Sequence, residues 1–572
     1  MAFNGRAQLA YQFTELKDKS SVNIPFTAKK LELWLAQLPL LNTNQLANEI
    51  PKYIQEINQI KIADKQHFKM LELLRPIVAY LYEVLTKQFR GENLNLSKEY
   101  EERQWLANVL LAEMAVGYQR LLFNLADKSP NIFNRRHYSL LAERASYYLG
   151  ERICLAYMLC TDVPKHIWHD LNSTYQFAQN LKLNTVRLKD DFAFDGIKKG
   201  SIDTLYKRVL LLSMVTPYSL RSAELEQIYY GFLPWLGSLK LLNTFSQSEN
   251  AYMINLTKDH GPELGGILEP NTNILVIDNS SLVSKMKEWI DTGKAPSSVD
   301  YKGMSKKLLS DVVGQLSGSI QRSSERIGSD GEYVEVIIGL RNIERFLGAH
   351  NSEIDDENAL STSNFKDNSQ VDTAKIEQEW TKKVGLDVWD EQYEIKTSNK
   401  KAPQRDQASF PRKVAEIGKF IFTIENESEK GVCLSCNGFD GAGLFIGELL
   451  FIRGYDPKIW TLGIVRWMKV GNKKLDIGLY LISTKVDRVQ ISRNSPAKNI
   501  IMTGLWLAEG EQGDTLLLPS AEFKKGDELY LDHHGNELNV ILGDIVWHSE
   551  GFSQFYFKVI THEHQNEDYL IP

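Results

Sequence analysis

Two arginines, Arg322 and Arg326, stand four residues apart in the polar stretch QRSSERIGSDG, immediately before the run EYVEVIIGL. An arginine guanidinium is planar and permanently charged, so it can stack on a purine ring and donate paired hydrogen bonds to a phosphate or a guanine edge. The branched residues that follow predict a β-strand. Two guanidinium groups before a strand could close over a flat anionic ligand. The spacing of four residues alone, however, is more typical of two arginines at the solvated end of a helix.

A second polar element lies in the stretch ENESEKG, which carries Asn426, Ser428 and Gly431 in the pattern N-x-S-x-x-G. Asn and Ser side chains commonly bond to the backbone of a turn, and glycine is tolerated where the chain reverses, so an ordinary turn between strands is one interpretation. The other interpretation is a ligand site. In that case the amide and the hydroxyl contact a base edge, and glycine permits a close backbone approach.

Together, the RxxxR pair, the strand after it, the N-x-S-x-x-G element and the short strands that follow resemble the PilZ domain family of bacterial cyclic di-GMP receptors. The resemblance implies a six-stranded β-barrel in which arginines on a flexible lead-in segment grip the guanines and phosphates of the dinucleotide. It also implies that the second motif completes the site on the barrel surface. The ligand-binding residues that it marks are Arg322, Arg326, Asn426, Ser428 and Gly431.

Three features depart from the family pattern. The two motifs usually lie a few tens of residues apart, whereas Asn426 comes 100 positions after Arg326. The polar, acidic composition of residues 351–412 predicts a disordered insertion between them, and a longer loop costs only about 0.6 kcal/mol for each doubling of its length. Asn426 stands where aspartate is commoner, and Gln321 stands where many members carry an arginine or a bulky residue, which bears on affinity and on whether one or two dinucleotides bind.

Arg466 and Trp467, in the run GIVRWMK, offer a charge and an aromatic face that could lie beside a ligand. Successive residues of a strand face opposite sides of a sheet. The alternation therefore predicts that Trp467 is in the barrel core and that Arg466 points to solvent.

The rest of the chain must position these motifs. Apolar residues recur every three or four positions over residues 1–250, which predicts an all-helical bundle or irregular solenoid. A mixed α/β region is predicted over 251–320, leading into the PilZ-like barrel at 321–490. The stretch GELLFIRG…LGIVRWM is echoed by GDELYLDHHG…LGDIVWH, which predicts a second, similar barrel over 491–572. The predicted fold class is multidomain α+β.

Length and composition limit the remaining classes of protein. A chain of 572 residues is too long for one ordinary core, and 43% hydrophobic with 24% charged residues is typical of a soluble globular protein. A formal net charge of −7 argues against general DNA or RNA binding. Four cysteines are too few for a disulfide framework, and neither a secretion signal nor an apolar run of about 18 residues is visible. We expect a cytoplasmic protein without a membrane span.

Signals for other chemistry are weak. Cys433 and Cys436 form half of a zinc motif, and His166 and His169 have neither a third ligand nor a glutamate base, so no metal site is predicted. Signatures of phosphate-binding loops, nucleophile elbows and cyclic di-GMP synthesis or hydrolysis are missing from the sequence. We therefore expect no catalysis and no cofactor, and cyclic di-GMP is the ligand that the resemblance implies.

These observations predict a non-catalytic receptor whose PilZ-like domain binds cyclic di-GMP and signals through the helical region to an unidentified protein partner. Motility, pilus, polysaccharide and secretion machinery are all compatible with the family. The alternative, from another class, is a protein-interaction or chaperone-like scaffold whose barrel is degenerate and binds no nucleotide. The long insertion, and a second barrel without either motif, favour that alternative.

Overall fold

The computed structural model describes most of the chain, and the statements that follow concern those residues. The described stretches are 5–9, 11–18, 24–39, 42–90, 98–192, 199–243, 251–265, 273–293, 304–318, 327–329, 331–357, 419–439, 443–454, 459–471, 474–493, 502–508, 513–519, 523–533, 535–549 and 551–560. Arg322 and Arg326 lie outside them, as do residues 358–412 of the predicted insertion.

The N-terminal part is built from helices whose apolar faces converge on one core. They are α1 (Ala28–Gln37), α2 (Thr43–Gln59), α3 (Asp64–Thr86), α4 (Lys98–Leu125), α5 (Arg135–Met158), α6 (Ile167–Asn180), α7 (Ile202–Met214) and α8 (Ser222–Gly231), with a ladder of β1 (Leu188–Lys189) and β2 (Lys199–Gly200) between α6 and α7. Helix α5 is buried along nearly its whole length, so it forms the centre of this body. The predicted helical N-terminal region is confirmed.

A small antiparallel sheet and two helices complete the same body. Its strands are β3 (Lys240–Leu242), β4 (Tyr252–Asn255), β5 (Glu263–Leu264) and β6 (Ile274–Asp278), in the order β3-β6-β4-β5, and its helices are α9 (Ser280–Thr292) and α10 (Lys306–Leu316). Met286 of α9 and Val312 of α10 are buried in the hydrophobic core that the first eight helices form. The mixed region is thus packed into the helical body.

The middle of the chain forms a closed barrel. Its strands are β7 (Ile327–Gly328), β8 (Tyr333–Ile338), β9 (Lys419–Ser428), β10 (Gly431–Asn437), β11 (Leu449–Arg453), β12 (Trp460–Gly471) and β13 (Lys474–Ser483). Six of the strands follow the order β10-β13-β12-β11-β8-β9, and the pairing of β9 with β10 closes them into a barrel. The short strand β7 also pairs with β9. Alternating side chains such as Val336, Phe422 and Leu434 fill the interior, as the period of two in a strand requires. The predicted six-stranded barrel is confirmed.

A helix absent from the sequence-based prediction, α11 (Leu340–Glu357), follows β8 directly. Gly339, with φ of 87°, forms the junction, and its carbonyl accepts hydrogen bonds from the backbone N–H groups of Asn342 and Ile343. A positive φ is a conformation that glycine adopts without a steric penalty. The helix continues through residues 351–357, which composition had placed in the insertion.

The C-terminal strands close a second barrel, which confirms that prediction. They are β14 (Val486–Ser492), β15 (Met502–Leu507), β16 (Thr515–Pro519), β17 (Glu528–His533), β18 (Asn536–His548) and β19 (Phe552–Val559), in the closed order β14-β15-β16-β19-β18-β17. The barrel has its own core, which includes Val489, Leu516 and Phe555. Its first strand starts at Val486, so only a turn separates the two barrels.

The two barrels also share a hydrophobic cluster. Leu462 and Ile464 of β12 pack with Leu507 of β15 and Phe552 of β19, and Ile343 of α11 joins them. Each of these side chains is almost completely removed from solvent. Because burial of apolar surface is the main favourable term in association, this cluster fixes the position of one barrel on the other.

The helical body meets the middle barrel through polar contacts. The backbone N–H of Val470 donates to the carbonyl of Cys160 at 2.7 Å, and Lys469 pairs with Asp162 at 2.7 Å. At the N-cap of α8, the Nε of Arg221 donates to the carbonyl of Ile446 at 3.1 Å. None of the helices in the described stretches combines the length and the apolar character that crossing a bilayer needs.

Candidate functional site

The N-x-S-x-x-G element forms a two-residue hairpin. Strand β9 ends at Ser428 and strand β10 begins at Gly431, with Glu429 and Lys430 as the connection. The Ser428 hydroxyl donates to the Gly431 carbonyl at 3.2 Å. A Cβ added to Gly431 would lie 3.3 Å from both the Leu479 carbonyl oxygen and the Ser428 Oγ, so only glycine fits this approach without displacement. Ser428 and Gly431 therefore shape the turn whether or not a ligand binds.

The strand register places the motif on the outer face of the barrel. Val432 and Leu434 are part of the barrel core, so Cys433 between them belongs to the opposite face. Asn426 is paired with Cys433, and Ser428 is paired with Gly431. Asn426 and Ser428 are both half-buried. Their amide and hydroxyl groups therefore lie on one exterior strand face.

Trp467 lies on that same outer face, which corrects the prediction that it is a core residue. Val465 pairs with Leu479 and Trp467 pairs with Gly478, so Arg466 is an extra residue in a β-bulge. A bulge adds one residue to a strand and interrupts the inside–outside alternation. The indole lies directly over Gly478, where an added Cβ would be only 1.9 Å from its Nε1. Trp467 is consequently half-exposed.

A groove runs from the hairpin to the C-terminal barrel. Its volume is about 790 Å³, which is within the range of roughly 300–1,000 Å³ for small-molecule sites. Its polar lining begins at Glu429 and Lys430, and the Lys430 carbonyl accepts a hydrogen bond from the Leu481 N–H at 3.0 Å. The hairpin and the groove are therefore continuous.

The described lining contains more cations than carboxylates and includes three aromatic rings. Lys430, Arg466 and Lys485 line the groove with a single carboxylate, Glu429, among the described lining residues. The rings are Tyr480 from the middle barrel and Trp547 and Tyr556 from the C-terminal barrel. Tyr480 is 42% exposed and pairs with Gly431 through the β10–β13 ladder. This surface matches a ligand that combines flat rings with phosphates.

Trp547 lies where the three parts of the molecule meet. The Arg466 guanidinium of the middle barrel is 4.8 Å from the indole centroid, and the Lys307 ammonium of α10 is 4.4 Å from it. Asp311, one turn further along α10, has its pKa raised by burial, and the charges of Lys307 and Arg466 oppose that shift. A residue of the second barrel is thus held by cations from the first barrel and from the helical body.

Arg322 and Arg326 are outside the described residues, but the chain on both sides of them is described. Helix α10 ends at Leu316, and β7 begins at Ile327. Ile327 pairs with Glu427 and Gly328 pairs with Asn426, while the Ser329 N–H donates to the Glu425 carbonyl at 3.2 Å. The strand that follows the arginine pair therefore lies against the strand that carries the second motif.

The sequence reasoning missed Tyr480 and Trp547, and it discounted Arg466. Tyr480 carries a signal that was available, because a tyrosine flanked by the buried Leu479 and the half-buried Leu481 must lie on the outer face of β13. Trp547 carries no comparable signal. It reaches the groove only through the packing of one barrel on the other.

The cysteines and histidines form no site in the described residues. Cys433 is buried, Cys436 is half-buried, and neither is in a disulfide. The backbone N–H groups of His166 and His169 donate to the Asp259 carboxylate at 2.6 and 3.1 Å, so these residues begin helix α6 with a capping acid. No group of three or more possible metal ligands occurs in the stretches that the structure describes.

Comparison with known proteins defines the class of the middle barrel. Residues 251–487 match a domain model described as the middle PilZ domain of the cyclic-di-GMP receptor FimW. The barrel is therefore a PilZ domain, and the resemblance inferred from the two motifs is confirmed.

The neighbouring parts of the chain match models of the same family. Residues 29–246 match the N-terminal domain of the cyclic-di-GMP receptor FimW, and residues 489–560 match the FimW C-terminal β-barrel domain. The three models follow one another along nearly the whole chain, and all three describe domains of the cyclic-di-GMP receptor FimW. One curated relative, the cyclic-di-GMP receptor FimW of Pseudomonas aeruginosa strain PAO1, is 23% identical over 565 residues, covering 93% of this chain and 90% of that protein. No solved structure matches the chain.

Proposed function

We propose that this chain is a cytoplasmic, non-catalytic receptor that binds cyclic di-GMP at the outer face of its middle barrel. Arg322 and Arg326 would hold phosphates and guanine rings, and Asn426 and Ser428 would hydrogen-bond to a base edge. Gly431 would keep the hairpin flat enough for the ligand to approach. The output passes through the helical body to a protein partner.

The pairing of β7 with β9 is the observation that carries this proposal. Ile327 is bonded to Arg326, and consecutive Cα atoms are about 3.8 Å apart. Ile327 lies beside Glu427, between Asn426 and Ser428 in sequence. The 100 positions between the motifs are therefore compatible with a single site, because β7, which follows the arginine pair in sequence, is adjacent to β9.

The mechanism follows from where the arginine segment is attached. It connects α10, which is packed into the helical core, to β7, which is part of the barrel ladder. A ligand shifts a conformational equilibrium only by its different affinity for the two states. The two ends of the segment belong to different bodies. A ligand that holds the segment in one conformation therefore favours one arrangement of the helical body relative to the middle barrel.

Titration calorimetry with cyclic di-GMP tests the proposal on the full-length protein. We expect saturable binding by the wild type and at least tenfold weaker binding by Arg322→Ala and by Arg326→Ala, since a hydrogen bond to a charged group contributes roughly 1.5–3 kcal/mol. Ser428→Ala should bind more weakly as well. The matched control is Arg341→Ala, an exposed arginine on α11 that does not line the groove.

The absence of heat with the wild type would exclude the receptor function. Equal affinities for the wild type and both arginine variants would exclude these residues as the site. The first result would favour the scaffold with a degenerate barrel.

A further inference from the structure

The groove has two walls from two different domains. Thr461, Ile464 and Tyr480 line it from the middle barrel, and Val546, Trp547 and Tyr556 line it from the C-terminal barrel. Ser428 and Gly431, two of the residues marked by the PilZ resemblance, flank Glu429 and Lys430 at one end of this groove. The resemblance gives the C-terminal wall no role.

We propose that the C-terminal barrel is the second half of the nucleotide site. One guanine and one phosphate of cyclic di-GMP lie against the motif hairpin, and the rest of the dinucleotide lies in the groove between the barrels, against Tyr480, Trp547 and Tyr556. This inference rests on the proposed function and adds a domain to its site.

Continuity is the first argument for it. Gly431 of the motif pairs directly with Tyr480, and the Lys430 carbonyl is hydrogen-bonded to the Leu481 N–H. Neighbouring strands of a ladder are about 4.8 Å apart. A dinucleotide seated on the hairpin therefore extends over β13 and reaches the groove.

Charge and ring chemistry form the second argument. Three cations and one carboxylate are among the described residues that line the groove, in a chain whose formal net charge is −7. This local reversal of sign is what an anionic ligand requires. The Trp547 indole N–H is buried and has no acceptor among the described residues.

Rigidity of the walls is the third argument. Ile464 lines the groove from the first barrel and Leu507 lines it from the second, and both are buried in the cluster that the barrels share. The two walls are thus held at a fixed separation before any ligand binds. A preformed site avoids the entropic cost of ordering two domains during binding.

Two adjacent residues of β18 provide a matched test. Val546 lines the groove and is 40% exposed, whereas its neighbour Ile545 is 49% exposed and does not line it. Calorimetry with cyclic di-GMP should show at least tenfold weaker binding by Val546→Glu, because a carboxylate there faces the phosphates. Ile545→Glu introduces the same charge on the same strand and should bind within twofold of the wild type. Val546→Lys, with the opposite charge, should retain binding.

A second measurement does not depend on how well the variants fold. Photocrosslinking of the wild-type protein with 8-azido cyclic di-GMP, followed by tryptic digestion, should give adducts on the peptide that spans residues 526–558 as well as on middle-barrel peptides. Adducts confined to the middle barrel, or equal binding by Val546→Glu and Ile545→Glu, would overturn this inference while binding by the wild type upholds the proposed function. Absence of binding by the wild type would overturn both.

Discussion

At the outer face of the middle barrel, a residue without a side chain decides where an aromatic ring lies. Trp467 can cover β13 only because Gly478 leaves room for the indole, since a Cβ there would be 1.9 Å from the ring nitrogen. The ring therefore lies in the same strand row as Asn426 and Cys433. A flat apolar surface is thereby placed next to the polar motif.

Gly478→Ala should destabilise the middle barrel by displacing Trp467. Overpacking at a tight site costs roughly 1–3 kcal/mol. We therefore expect the variant to unfold at a lower urea concentration than the wild type when denaturation is monitored by circular dichroism. Gly454→Ala is the control, because no atom lies within 4 Å of a Cβ added at that position. Equal midpoints for the two variants would show that the indole moves away at no cost.

At this scale, local spacing could be predicted from sequence and bulges could not. Asn426, Ser428 and Gly431 lie within one hairpin, so their pattern alone places them together. Strict alternation predicts a core position for Trp467. The bulge at Arg466 has no signal in the sequence, and it turns the next residue to the outer face.

At the scale of elements, the contact between α8 and the start of β11 contains a buried acid. Glu448 is 8% exposed, and burial raises the pKa of its carboxyl to about 7, against the opposing effects of the Leu449 N–H and of Arg221. The folded state therefore binds a proton more tightly than the unfolded state, whose glutamate has a pKa of about 4.5. The resulting contribution to stability is complete below pH 4.5 and is lost as the pH rises through 7.

Glu448→Gln should remove this pH dependence, because glutamine resembles the protonated acid and can still accept the Leu449 N–H. We expect the variant and the wild type to have similar stability near pH 5. At pH 8 the variant should be more stable, by at most about 3 kcal/mol, given about 1.4 kcal/mol for each unit of pKa shift. Thermal denaturation at the two pH values measures the difference, and a constant difference at both would contradict a titrating Glu448.

Element types were predictable where the apolar period was clear. The helical body and both barrels follow the periods of about 3.6 and 2 in the sequence. Helix α11 is not predicted although Ile343, Phe346 and Leu347 have helical spacing, because this short apolar pattern directly follows a strand with a period of two. Closure of a barrel depends on which strands pair with each other, and a single sequence does not specify that pairing.

At the scale of the whole molecule, the Lys307–Trp547–Arg466 stack links three bodies beside the groove. Each cation–π contact contributes about 0.5–2 kcal/mol. Trp547 is in contact with Lys307 of α10. A ligand that binds against Trp547 therefore also changes the surroundings of α10. Helix α10 is in turn the element that leads into the arginine segment.

Hydrogen–deuterium exchange should reveal this coupling. Cyclic di-GMP should slow exchange in β18 and in α10, and Lys307→Ala should reduce the effect in α10 while leaving the effect in β18. Helix α2, which is packed within the helical body, is the internal control and should exchange at the same rate with and without the ligand. Protection confined to the middle barrel would contradict a link through Trp547.

The middle barrel is assembled from two separate stretches of the chain. Strand β8 comes before residues 358–418, yet both of its partners, β9 and β11, come after them. A single cut of the backbone within that interval would interrupt none of the described strands of the barrel. The two fragments would remain joined by the hydrogen bonds of β8 with β9 and β11. The integrity of this domain is a matter of pairing rather than of covalent continuity, and a nicked molecule would be recognised only after denaturation.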